Sequence, residues 1–246
     1  MVTIETARRA PGSLERRFFT GMALFLFAAV FLGFSRTYFL RPWFPASAAR
    51  APQEGYFYYF HGVAFASWFG LMIVQAWLVA KRRVDLHRRV GAFGAVLAFA
   101  MVVLGVLGAI LAARRPTGFV GIPVPPLQFL IVPIADMVLF ALFVGLAIAQ
   151  RRNAQAHKRL MLLASISLIT AAIARWPFAM MTGGPPVFFG LTDLFLVPIV
   201  AWDLSTRRRL HPVTLWGGLL LVVSQPLRLL LSGTAVWAKI AAWLAG

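Results

Sequence analysis

Residues 90–113 read VGAFGAVLAFAMVVLGVLGAILAA, twenty-four positions without a charge, framed by His87-Arg88-Arg89 before them and Arg114-Arg115 after. As a helix rising 1.5 Å per residue the stretch reaches about 36 Å, and a bilayer core of about 30 Å takes about 20 apolar residues. It is therefore a membrane span with basic residues at both ends. Six further stretches qualify, so the spans run roughly over 18–40, 56–80, 90–113, 127–149, 159–181, 187–204 and 212–231. The remaining apolar piece, Val236 to Leu244 with Trp237, Lys239 and Trp243, is too short to cross and reads as an interfacial helix.

Composition agrees with lipid as the main solvent. Hydrophobic residues make up 61% of the 246 positions and charged ones 13%, and mean hydropathy is +0.81. Soluble domains carry roughly 45–50% and about 25%. The net charge of +17 sits in the turns between apolar runs, which marks topology and gives no reason to expect nucleic acid. Cysteine is absent, which excludes disulfides, thiolate metal sites, iron–sulfur clusters and cysteine nucleophiles. No HExxH, Gly-x-Ser-x-Gly, P-loop or dinucleotide fingerprint occurs, so an enzyme is the less favoured class.

The expected architecture is an all-α integral membrane bundle of seven transmembrane helices. A tail covers 1–17, the bundle 18–231, and the interfacial segment 232–246. Sixteen Lys and Arg residues lie on the side of Arg16, Arg17 and the turns at 81–89, 151–159 and 207–209, against eight on the other side. That bias places the N-terminus in the cytoplasm and the C-terminus outside. Ala46-Ser47-Ala48 superficially resembles a cleavage site, but Arg36 and Arg41 separate it from the apolar run, so the first helix is read as retained. The basic turns should meet anionic lipid headgroups at the cytoplasmic face.

The turns also repeat. Lys81-Arg82-Arg83-Val84-Asp85-Leu86-His87, Arg151-Arg152-Asn153-Ala154-Gln155-Ala156-His157 and Arg207-Arg208-Arg209-Leu210-His211 each place a histidine at the start of the next helix. Asp136 and Asp193 lie fifteen and fourteen residues before their basic pairs. The spans therefore read as one helix plus three related hairpins.

Ionisable residues inside spans carry the functional expectation. An aspartate in the core costs roughly 2.5–3.5 kcal/mol on insertion scales, so it must face protein or water. Asp136, Asp193, His61, Arg175 and Arg228, with Gln75, Ser224 and Gln225 nearby, are expected in one layer of the outer half, lining a cavity open to the outside. Two readings fit: Asp–Arg pairs that hold helices together, or a site for a small ligand, ion or proton. A second class of function is a redox protein holding b-type haem through two of His61, His87, His157 and His211. For the last three, a plain interfacial role beside snorkelling Arg and Lys competes with haem or metal ligation. A third class is a non-catalytic subunit; with such short loops, its partner would be another membrane protein. Gly91, Gly94, Gly105 and Gly108 read as close helix packing.

The segments His61-Gly62, Trp68-Phe69 and Gln75, then Asp85-Leu86-His87-Arg88-Arg89-Val90-Gly91, His157-Lys158-Arg159-Leu160 and Leu210-His211-Pro212, resemble an uncharacterised family of bacterial multi-pass inner-membrane proteins. The resemblance implies a polytopic protein of a bacterial cytoplasmic membrane and carries no reaction with it.

Overall fold

The computed structural model describes residues 12–44, 55–119 and 122–246, so Arg8, Arg9, Arg50 and Ala46-Ser47-Ala48 lie outside the described residues. Within them the chain is helical and contains no strand. Seven helices are long and apolar enough to cross a membrane: α1 (Ser13–Phe39), α2 (Tyr56–Ala80), α3 (Val84–Arg114), α4 (Pro126–Ala149), α5 (Ala154–Ile173), α6 (Pro185–Arg207) and α7 (Pro212–Ser232). A shorter apolar helix, α8 (Ala235–Ala245), follows. The protein is a multi-pass, all-α membrane bundle.

The helices alternate in direction, because each basic turn is only a few residues long. Arg82 and Arg208 take left-handed backbone conformations (φ 60° and 55°), which reverse the chain between α2 and α3 and between α6 and α7. Asn153 caps α5 instead, its side chain accepting from the N–H groups of Gln155 and Ala156. One end of the bundle therefore gathers these turns and the start of α1; the other gathers the proline-rich connections.

α5 is the central helix. About 78% of its most apolar window is buried, against 17–50% for the others, and it is the least apolar of the seven. Neighbours shield it from lipid, so it tolerates Arg159, Ser165, Ser167 and Thr170, all buried. Trp68 of α2 donates to Ser165 Oγ across 3.1 Å and stands edge-on to Phe140 of α4. Outward faces are the apolar ones: Phe93, Val96 and Phe99, three residues apart on α3, are all largely exposed. α1 reaches α5 through Gly33, where any Cβ would run into the Ala172 backbone. Gly94, Gly105 and Gly108 likewise face Leu71, Met137 and His61.

Three boundaries differ from the sequence reading. α1 begins at Ser13, so the end of the expected tail lies inside the helix, where Glu15 pairs with Lys158 and accepts from Gln155 of α5. α3 begins at Val84, which draws Asp85, His87, Arg88 and Arg89 into its first turns. α5 ends at Ile173, not near residue 181, because the chain meets Trp176-Pro177 and then turns at Gly184 (φ 72°). α8 folds against the proline-rich end, with Trp237 Nε1 donating to the Leu127 carbonyl at 2.9 Å while Trp243 stays exposed.

Candidate functional site: a polar layer between interrupted helices

Four helices bring polar groups together at one depth, and each is irregular there. α4 carries Pro133 one turn before Asp136. α5 breaks at Ile169 between its segments Ala154–Leu168 and Thr170–Ile173. α6 is regular to Asp193, tightens into a 3₁₀ turn over Leu194–Leu196, and restarts with Pro198 in its first turn. α7 contains Pro226 between Gln225 and Arg228, so the Val222 carbonyl has no N–H four residues on.

Across these interruptions Arg228 Nη1 donates to Asp136 Oδ1 at 2.5 Å and to the Val132 carbonyl at 3.3 Å. Its Nε and Nη2 reach the carbonyl and hydroxyl of Ser224, and the guanidinium lies 5.4 Å from the centre of the Phe189 ring. Arg228 and Asp136 are 3% and 8% exposed, so this is a desolvated pair whose donors are nearly all used. Gln225 Nε2 donates to Asp193 Oδ1 at 2.8 Å. Among the described residues no Lys or Arg pairs with Asp193. Thr170 and Thr192 share a hydroxyl hydrogen bond of 3.1 Å, and Thr192 also donates to the Phe188 carbonyl.

The layer is closed. The space between Asp136, Ser167, Thr170, Thr192, Gln225 and Arg228 does not admit a water molecule, because Leu139, Phe189 and Leu221 fill what the polar groups leave. In place of the expected open cavity the structure has a closed space around Asp136 and Arg228, with Asp193 partly exposed outside its lining.

The remaining residues expected there lie elsewhere. His61 is in the same half of the bundle but on α2, stacked on Phe65 at 4.3 Å and set against Gly108. Arg175 donates to the Ala171 carbonyl and lies 5.0 Å over the Phe34 ring, not against a carboxylate. Gln75 is at the other end, five residues before α2 finishes, with its amide against Gly91 and its Oε1 buried without a partner.

The basic end holds a second buried network. Arg159 and Asp203, 1% and 0% exposed, form an ion pair between α5 and α6. Asp203 Oδ2 also accepts from Thr214 Oγ1 at 2.6 Å and from the His211 N–H at 3.0 Å. Arg159 Nη1 continues to the side chain and carbonyl of Gln155. The sequence alone does not mark Arg159 as the partner of Asp203. The available signal was scarcity: with 7 acidic residues for 24 Lys and Arg, an acid beside a span has a partner to hold.

The turn histidines separate into two kinds. His87 and His157 sit four residues after the residues that precede α3 and α5, their N–H groups bonding to the Arg83 and Asn153 carbonyls. Their rings are edge to face with centroids 6.3 Å apart. His211 is itself the cap of α7, its Nδ1 accepting from the Val213 N–H. Burial first, then the cations Arg159 and Arg207, depress the His211 pKa to about 4 against a partial opposing pull from Asp203. His61 is at the opposite end from all three, and among the described residues His87 and His157 are the histidines whose rings adjoin. Among the described residues no group of three or more His, Asp or Glu gathers in a metal-binding arrangement. Comparison with protein-family models, curated proteins and solved structures finds no match for this chain.

Proposed function

We propose that the protein handles a small monovalent cation, the proton foremost, at the layer formed by Asp136, Asp193, Gln225 and Arg228, in transport or in sensing. Charge carries the reading. The layer contains two carboxylates and one guanidinium, and the guanidinium is committed to Asp136. Asp193 is left with an amide as its polar partner, inside a span, where an uncompensated carboxylate is costly. A proton or small cation at Asp193 balances the layer.

The interrupted helices support movement around that site. Discontinuous helices at membrane depth are tolerated where they line protein or an aqueous path, and transporters place their sites at such breaks. Asp193 is partly exposed, so a cation reaches it from the edge of the layer; passage inward to Asp136 requires the helices to part, and the 3₁₀ turn after Asp193 and Pro226 beside Gln225 are natural points for that. The resemblance and the basic turns support a bacterial inner-membrane protein with its N-terminus in the cytoplasm and the layer in the outer half.

The test is infrared difference spectroscopy on the reconstituted protein, stepping pH at fixed salt and then salt at fixed pH. A carboxyl C=O band that follows pH and vanishes in Asp193→Asn supports proton binding; one displaced by sodium or potassium supports the cation. A spectrum without any Asp193-dependent change overturns the reading.

A further inference from the structure

A second site lies at the basic end, where the repeated turns bring two imidazoles together. The His87 and His157 ring centroids are 6.3 Å apart with planes at 88°. Every other edge-to-face pair described in the protein is closer, from 4.9 to 5.9 Å, although phenyl and indole rings are larger than imidazole. The two imidazoles thus lie side by side at the turns without close ring packing.

Their hydrogen bonding prepares them for a ligand. His157 Nδ1 lies 2.8 Å from the Ala147 carbonyl, which fixes the proton on that nitrogen and leaves the lone pair on Nε2. A backbone carbonyl holding one ring nitrogen is the usual support of a metal-bound histidine. On the other side, Gln75 Oε1 is shielded from solvent and has no hydrogen-bond partner, while the His87 ring has the Gln75 backbone carbonyl beside it. Unsatisfied buried polar atoms are few in folded proteins and call for an occupant. The Gln75 amide is placed by Gly91, one turn beyond His87, where a Cβ would come within 3.3 Å of Nε2.

We propose that His87 and His157 bind a zinc-class transition-metal cation, with Gln75 Oε1 as an oxygen donor and water completing the shell. A tetrahedral ion with bonds of about 2.0–2.1 Å to two imidazoles brings their ring centres to about 5 Å, so binding draws the two rings together by about 1 Å from the present 6.3 Å. The rings stand at right angles, which keeps their C–H edges apart at the metal. The site is independent of the acidic layer, which lies in the other half of the bundle, and its success or failure leaves that reading untouched.

Zinc itself is the probe. The purified full-length protein, without a histidine tag, is dialysed against buffered micromolar zinc and the metal per chain is measured. The expected result is one zinc per chain, with affinity weakened about tenfold or more in His87→Ala and in His157→Ala. Binding is unchanged in His61→Ala, at the opposite end. Cobalt loading of the wild type supplies a readout that needs no variant: visible d–d bands of a nitrogen-ligated ion. Zinc below one equivalent in the wild type, or binding that survives replacement of both histidines, is adventitious metal only and overturns the proposal.

Discussion

Arg228 of α7 and Asp136 of α4 meet at 2.5 Å inside the bundle, and the same guanidinium returns to its own helix through both oxygens of Ser224. The pair thus ties α7 to α4 beside Pro226, where the helix lacks one of its own hydrogen bonds. Removing one partner of a buried pair leaves the other charge desolvated and costs about 3–5 kcal/mol. Arg228→Leu should therefore lower thermal stability in detergent sharply. Asp136→Leu combined with Arg228→Leu should recover most of the loss, since two apolar residues leave no orphan charge. A double variant no more stable than Arg228→Leu would show that the pair does more than neutralise itself.

The Gly33 contact separates packing from helix propensity on a single helix. A Cβ at Gly33 runs into the Ala172 backbone, whereas nothing lies within 4 Å of one at Gly21. Gly33→Ala should destabilise α1 against α5 by about 1–3 kcal/mol, as overpacking does. Gly21→Ala should be neutral or stabilising by up to about 1 kcal/mol. Melting curves of the two variants, followed by size-exclusion fluorescence, make the comparison, and equal shifts would refute the close approach.

His211 makes the basic end sensitive to acid. Its ring is neutral in the folded protein because burial and the flanking Arg159, Arg207 and Lys158 oppose the proton more than Asp203 favours it. The folded pKa of about 4 lies below the ordinary 6.5, so the unfolded chain binds the proton first. Stability from this group is complete above pH 6.5 and is lost as pH falls toward about 4. His211→Asn keeps a capping acceptor for the Val213 N–H and does not titrate. The variant should flatten the fall in melting temperature over that window; an unaltered acid profile would assign the sensitivity to other groups.

Orientation is open to a direct measurement, because the chain has no cysteine of its own. Arg152→Cys places a thiol in the exposed turn before α5, and Thr117→Cys places one in the connection after α3. With the N-terminus in the cytoplasm, a membrane-impermeant maleimide should label position 117 in intact cells and position 152 only after permeabilisation. The reverse pattern would invert the topology.

The sequence by itself determined the solvent, the number of spans and the alternation of basic and proline-rich ends. These follow from the length of apolar runs and the positions of charge, which a chain displays without folding. Asp136, Asp193 and Arg228 were also legible, because an ionisable residue within a span stands out against its surroundings. Which charge meets which was decided by packing. Arg175 and Arg228 look equivalent along the chain, yet Arg228 turns inward to Asp136 while Arg175 stands over Phe34 at the end of α5. Arg159 reads as one more turn cation, and only the central position of α5 makes it the buried partner of Asp203. Likewise three similar turns supply three histidines, but His87 and His157 approach each other while His211 is spent capping its own helix. Span length and composition are local properties; ion-pair choice and helix centrality depend on rotation and neighbours, which only the assembled bundle defines.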